Sequence, residues 1–261
     1  MTYETIKFGI ADAIATITLN RPERLNAMAP QMADEISEAL DALEGARVVL
    51  ITGEGRAFCS GADLAARGQG AALAGGGGPY GALTRHYNPT MLKLARLNVP
   101  VITAVNGPAA GVGCSLALAS DFAIAGKSAY FLQAFVNIGL VPDGGASWML
   151  TRLLGKARAT QMMMLGEKIS GEQAADWGLI YNCVDDAVLA EEAQALAVRL
   201  ANGPTLALGI MRQNIAAALD GDYASALLRE AEGQRIAGAS ADAMEGGMSF
   251  LQKRKPEFKG K

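Results

Sequence analysis

The sequence predicts an α/β protein built around parallel strands, and three observations carry that prediction. Short, largely apolar runs recur along the chain: "VVLITG" at 48–53, "VPVITAVNG" at 99–107 and "DFAIAG" at 121–126, each stopped by glycine. Runs of this kind suit strands covered on both faces. Strand, glycine turn and helix then follow one another several times without a shared sequence period, an order that favours right-handed crossover units. Finally, at 261 residues with 51% hydrophobic side chains, the chain is long enough for a continuous core.

Taken in order, "ETIKFGIADAIATITLN" (4–20) reads as two strands around a turn at Ala11-Asp12, with Ile14, Thr16 and Thr18 alternating against Ala15, Ile17 and Leu19. After "RPERLNAMAP" a helix is predicted in which Met32, Ile36, Leu40 and Leu43 share one face and Gly45 ends it. The three apolar strands follow. From about Gly155 the pattern turns helical, through "KARATQMMMLG", "SGEQAADWGL", "DDAVLAEEAQALAVRLANG" and "PTLALGIMRQNIAAALDG", with Ser170 and Asp185 or Asp186 as N-caps. Helices continue in the tail. A soft boundary near Asn202–Pro204 divides a core region, 1–203, from a helical region, 204–261, whose apolar face is expected to pack on the core or on another subunit. The stretch 66–85, with four successive glycines from Gly75 to Gly78, reads as a mobile surface loop or a substrate lid.

Composition excludes several functions. The formal charge of −3 gives no general attraction to nucleic acid, and no dense Lys/Arg block is present. The first 20 residues lack the basic head and apolar core of a signal peptide, and no run reaches transmembrane length. Cys59, Cys114 and Cys183 are far apart and form no CxxC pair; with His86 the single histidine, a protein-built metal site is not expected. The expectation is a cytoplasmic protein with no metal, no membrane and no nucleic-acid partner.

Two glycine turns can carry chemistry. "ITGEGRAFCSGADL" (51–64) and "AVNGPAAGVGCSLALASD" (104–121) each lead from a strand into glycines and on toward a helix. Such junctions leave backbone N–H groups pointing outward, and two aimed at one oxygen would form an oxyanion hole. Neither fits a GxxxxGK[ST] phosphate loop or a dinucleotide-binding GxGxxG.

Together with "LNRPERLNAM" (19–28), "GLVPDGG" (139–145) and "SFLQKRKPEF" (249–258), these turns make the whole chain resemble the crotonase (enoyl-CoA hydratase/isomerase) superfamily. The resemblance implies a spiral of repeated ββα units with a C-terminal helical region that makes trimers, often paired into hexamers. It implies an acyl-CoA thioester as substrate and no further cofactor. The enolate oxygen would be held by the N–H groups of Ala62 and Val112, with Gly111 beside the second. It further implies substrate-binding roles for Arg24, Leu25, Ala27, Ser60, Asp63 and Leu64, and for Phe250 and Lys253, which would reach a neighbouring subunit's CoA.

The departures from the hydratase pattern matter most. Where the family's hydratases carry two glutamates, this sequence has Ser115 and Phe135. Hydration needs a base to activate water and an acid to protonate the other carbon, and neither side chain serves well. Asp143 of "GLVPDGG" reads first as an N-cap for the helix after it. However, the family's isomerases place a carboxylate here, and "RHYNP" (85–89) and "VDD" (184–186) match the isomerase branch. Asp143 is therefore read as the acid–base residue that moves a double bond or assists rearrangement of a ring epoxide, with Phe131, Phe135, Ile138 and Trp148 as candidates for excluding water. The alternatives are a hydratase, a dehalogenase-like enzyme pairing Asp143 with His86, and an acyl-CoA-binding protein without catalysis.

Overall fold

The computed structural model describes residues 2–63 and 78–261. Among the described residues nine strands follow in chain order: β1 Ile6–Ala11, β2 Ile14–Leu19, β3 Val48–Gly53, β4 Val101–Val105, β5 Ala109–Ala110, β6 Phe122–Gly126, β7 Tyr130–Leu132, β8 Ile169–Ser170 and β9 Asn182–Val184. The larger sheet has the order β1-β2-β3-β4-β6-β9, and a small second sheet has the order β5-β7-β8. Only β1 and β2 are antiparallel in the larger sheet; every later pairing is parallel. The first turn lies at Asp12-Ala13, one residue beyond the expected position. Both residues have positive φ, 50° and 60°, as a two-residue hairpin turn demands.

Strand periodicity sorts the core into two layers. Val49, Ile51, Val101, Val105, Ala123 and Ala125 face one cluster, which includes Met32 and Ile36 of helix α1, Pro30–Asp41. Val48, Leu50, Ile102, Ala104 and Ile124 face the other. There they meet Leu189, Ala193, Ala197 and Ala201, one small-residue stripe of the helix Leu189–Ala201. The parallel strands are thus buried on both sides, as their apolar sequences require.

Three local expectations are corrected. Helix α1 ends at Asp41, not Gly45: the chain needs residues 42–46 to turn back and deliver Arg47 N–H to the Ala13 carbonyl, and Gly45, at φ 83°, makes that turn. Neither Asp185 nor Asp186 caps a helix with its side chain. Asp185 pairs with Lys127, and Asp186 accepts the Ser128 N–H, so both carboxylates are committed to the turn after β6. Residues 78–85 are helical and do not form an open loop: α2, Gly78–Ala82, runs through a wide turn at Leu83–Tyr87 into α3, Asn88–Ala95. The rest of the lid expectation, residues 66–77, lies outside the described residues. Ser170 does cap its helix, accepting the Gln173 N–H at 3.1 Å.

Beyond Ala201 come three helices, Thr205–Ala218, Tyr223–Gly238 and Ala241–Leu251, which bury few side chains in the single chain. Two arginines tie this region to the sheet layers. Arg47 donates to Thr205 Oγ1, to the Phe258 carbonyl and to the Gly203 carbonyl. Arg212 pairs with Asp121 and donates to the carbonyls of Leu94, Ala95 and Leu97. Among the described residues no helix is long and apolar enough to cross a membrane.

Candidate active site

The two glycine turns are paired with each other. Cys59 N–H donates to the Pro108 carbonyl and Ala110 N–H to the Cys59 carbonyl, a parallel bridge of Cys59 with Ala109. Counting three residues on from each partner reaches Ala62 in one turn and Val112 in the other. Each follows a glycine with positive φ, Gly61 at 105° and Gly111 at 53°. A Cβ added to Gly111 would lie only 3.7 Å from the Gly61 Cα, so the turns touch where they bend. Bond formation elsewhere then decides which way the amides point. Met28 N–H donates to the Gly61 carbonyl and Asp63 N–H to the Met28 carbonyl, which leaves the Ala62 N–H directed away from that ladder. Val112 opens the helix α4, Val112–Leu118, where a first-turn N–H has no intrahelical partner. Among the described residues neither N–H donates to a protein acceptor. Two donors at matched positions in touching turns are what stabilising a single developing negative charge requires.

Asp143 is tied to α4 by way of Ser115. The Ser115 hydroxyl, fully buried in α4, donates to the Asp143 carbonyl at 2.8 Å. Gly144 packs against the Ser115 Cβ and Val112 Cγ2; a Cβ added to Gly144 would stand 2.8 Å and 3.4 Å from them. Asp143 itself is half-buried, with its Oδ1 shielded from solvent. The cap expectation is corrected here. The next helix, α5 at Ala146–Thr160, has Gly145 as its N-cap with no side-chain cap bond, and Ala146 N–H goes to the Asp143 carbonyl. The main chain thus closes the start of the helix, with Gly144 and Gly145 both at positive φ.

Phe135, buried in the turn Ala134–Ile138, lays its ring edge over Gly111: its Cζ is 3.4 Å from where a Cβ would be. The other proposed water-excluding residues divide. Phe131 is deep in the core, whereas Ile138 is 56% exposed and Trp148 is 39% exposed. Trp148 is instead covered by the Arg152 guanidinium, 4.2 Å from the ring centroid, and its N–H is aimed at Asp220. Closeness to Asp143 in the sequence did not bury Trp148, which helix α5 carries outward.

The segment 19–28 folds over the first turn. Ser60 N–H donates to the Leu25 carbonyl, and the Ser60 hydroxyl approaches the Arg24 carbonyl. Arg24, Leu25, Ala27, Ser60, Ala62 and Asp63 are therefore neighbours along one edge. Leu64 lies outside the described residues. Phe250 is 83% exposed, and neither it nor Lys253 is joined to this edge by a hydrogen bond or ion pair among the described residues.

Sequence reasoning missed Arg21. Its guanidinium spans the edge, donating to the Ala27 carbonyl at 2.6 Å and to buried Asp63 at 2.8 Å, so Asp63 braces the turn that presents Ala62. An arginine and an aspartate flanking the two segments were visible, but nothing in their spacing announced the pair. His86 is likewise engaged elsewhere: its Nδ1 lies 2.9 Å from both Asp34 oxygens on α1. Its neighbour Tyr87 donates instead to the Met28 carbonyl. The two buried thiols are inert, since burial pushes Cys59 up to about 11 and Cys114 up to about 12.

The likenesses to known proteins agree with this geometry. A family profile described as Enoyl-CoA hydratase/isomerase matches residues 9–261. The 1,2-epoxyphenylacetyl-CoA isomerase of Escherichia coli is 45% identical, the alignment spanning 99% of each chain. A Rhodobacter capsulatus protein named probable enoyl-CoA hydratase is 44% identical over the whole of both. The solved enoyl-CoA hydratase of Bacillus anthracis superposes with a TM-score of 0.92 at 30% identity, covering 99% of this chain and 100% of that one. Paired glycine turns in a spiral α/β core, with a matching profile along nearly the full length, lead to one conclusion: the chain belongs to the enoyl-CoA hydratase/isomerase (crotonase) family.

Proposed function

We propose that the protein is an acyl-CoA isomerase that moves a double bond along a CoA thioester, or rearranges a ring epoxide on one, with Asp143 as acid and base. The thioester oxygen binds between the N–H groups of Ala62 and Val112, and charge developing there acidifies carbons conjugated with the carbonyl. Asp143 takes a proton from one carbon and returns it to another, so no water is consumed. Phe135 covers the Gly111 side and keeps solvent from the enolate. Arg24, Leu25, Ala27, Ser60 and Asp63 flank the thioester's entry, and the C-terminal helices assemble trimers or hexamers in which Phe250 and Lys253 meet a neighbour's CoA.

The single observation behind this reading is the seating of Asp143. It is docked on the helix that presents Val112, while the two places used by hydratase glutamates hold a serine bonded to main chain and a phenylalanine ring. The dehalogenase-like alternative is disfavoured because Asp34 already holds His86. Hydration is favoured by the names of relatives: the Rhodobacter capsulatus protein and the Bacillus anthracis structure are both called enoyl-CoA hydratase.

The experiment supplies a 3-enoyl-CoA in ¹⁸O-labelled water and follows the conjugated thioester. Parent protein is expected to form it without label in the acyl chain, and Asp143→Asn to be slower by ~100-fold or more. Equal rates, or a labelled hydroxyacyl product, would contradict the proposal.

A further inference from the structure

The acid–base residue of the proposed function belongs to a glycine-flanked segment, which raises the question of what fixes its reach. Asp143 stands between Pro142 and two glycines, both with positive φ, and no strand or helix contains it. Glycines on one side leave a backbone free to rotate unless something else holds it. Two hydrogen bonds do so, both to the Asp143 carbonyl: one from the Ala146 N–H at 3.1 Å and one from the Ser115 hydroxyl at 2.8 Å. The first is internal to the turn and moves with it. The second joins the turn to α4, the element that carries Val112 and on which Gly144 also packs.

We propose that Ser115 is a positioning residue: its hydroxyl sets the Asp143 main chain, and so the distance between the Asp143 carboxylate and the oxyanion-binding amides. This rests on the acid–base role given to Asp143. A serine inside a helix ordinarily bonds back to the carbonyl four residues earlier. Here that bond, to Gly111, is long at 3.4 Å, and the hydroxyl favours Asp143 instead. Ser115 is wholly buried, so no water competes for its proton. Its Cβ and the Val112 side chain also form the surface on which Gly144 rests. Hence the residue three places after an oxyanion donor locks the residue that delivers the proton, and the two halves of the site share one rigid helix. The position at which hydratases carry a base has become the anchor for a different carboxylate.

The test compares isomerisation of a 3-enoyl-CoA by the parent, Ser115→Ala, Ser115→Cys, Ser115→Thr and Asp143→Asn, with melting temperature recorded for each. Loss of the donor in Ser115→Ala is expected to lower kcat by roughly 10–100-fold, the scale of a small misplacement of a reacting group. KM should stay within about twofold, because the binding edge is untouched. Ser115→Cys, of similar size but a weak donor, should follow Ser115→Ala, and Ser115→Thr should recover most of kcat. The positioning role is overturned if Ser115→Ala keeps the parental kcat while Asp143→Asn is inactive. It is overturned equally if Ser115→Thr fails to recover kcat although it is as stable as the parent. Should Asp143→Asn match the parent, the acid–base reading itself fails and takes this inference with it.

Discussion

At the scale of single residues, the site depends on a few backbone angles more than on reactive side chains. Gly111 has φ 53° and ψ −128°, a combination outside the regions open to L-residues, and its missing side chain makes room for the Phe135 ring. Replacing Gly111 with alanine is expected to lower unfolding stability by ~1–3 kcal/mol, measured by urea denaturation, since strain of this kind costs that much. Activity should fall further than stability, because the Val112 N–H is the next group in the chain. Phe135→Ala removes a large buried ring and is expected to destabilise by ~3 kcal/mol or more in the same assay. Side-chain identity was legible at this scale: Asp143, Ser115 and Phe135 stand out against the hydratase pattern without coordinates. The bond from Ser115 to the Asp143 carbonyl was not, because a hydroxyl's choice between two acceptors is set by tertiary geometry.

Among elements, the first two strands and the three apolar runs were read closely because their physics is local. By contrast, β5 and β7 were not read, and β8 and β9 interrupt the stretch after Gly155 that was expected to be helical. A run such as "VVLITG" has no polar face, so it must be covered on both sides, and β3 spans the same residues. Helix ends were read less well. Gly45 marks a turn four residues past the end of α1, and Asp185 and Asp186 were taken up by Lys127 and Ser128, partners no sequence window contains. Helix α1 also holds a pH-dependent tie to the residues just before the first strand. Burial by itself would push the Glu35 carboxyl up. The Thr5 hydroxyl and N–H, the Glu4 N–H and Gln31 outweigh that and hold it below the usual glutamate range. A carboxylate lowered in the folded state contributes stability in full above its unfolded value of ~4.3, and loses it as pH falls through the folded value. The midpoint of chemical unfolding for the parent is therefore expected to drop below about pH 4.5 more steeply than that of Glu35→Gln.

For the molecule as a whole, the same arginine-centred joints that were invisible in sequence hold the C-terminal helices to the sheet layers. Arg212 is nearly buried and satisfies Asp121 together with three carbonyls at the end of α3. Its truncation to alanine is expected to cost ~2–3 kcal/mol, the scale of charged hydrogen bonds left unmade, and to appear as faster amide exchange across Thr205–Ala218. Arg47→Ala should loosen the neighbouring joint at Gly203, Thr205 and Phe258. The α/β fold class was legible because repeated strand–turn–helix order constrains it tightly. What periodicity misses is the pairing of the two glycine turns, which depends on Cys59 meeting Ala109 across fifty residues of chain. The most direct measurement of that convergence is a crystal structure with a bound enoyl-CoA. The expected result has the thioester oxygen ~2.7–3.1 Å from both the Ala62 and Val112 nitrogens, with an Asp143 carboxylate oxygen over the acyl carbons. A thioester oxygen held by any other pair of groups, or an Asp143 carboxylate turned away from the acyl chain, would contradict the account.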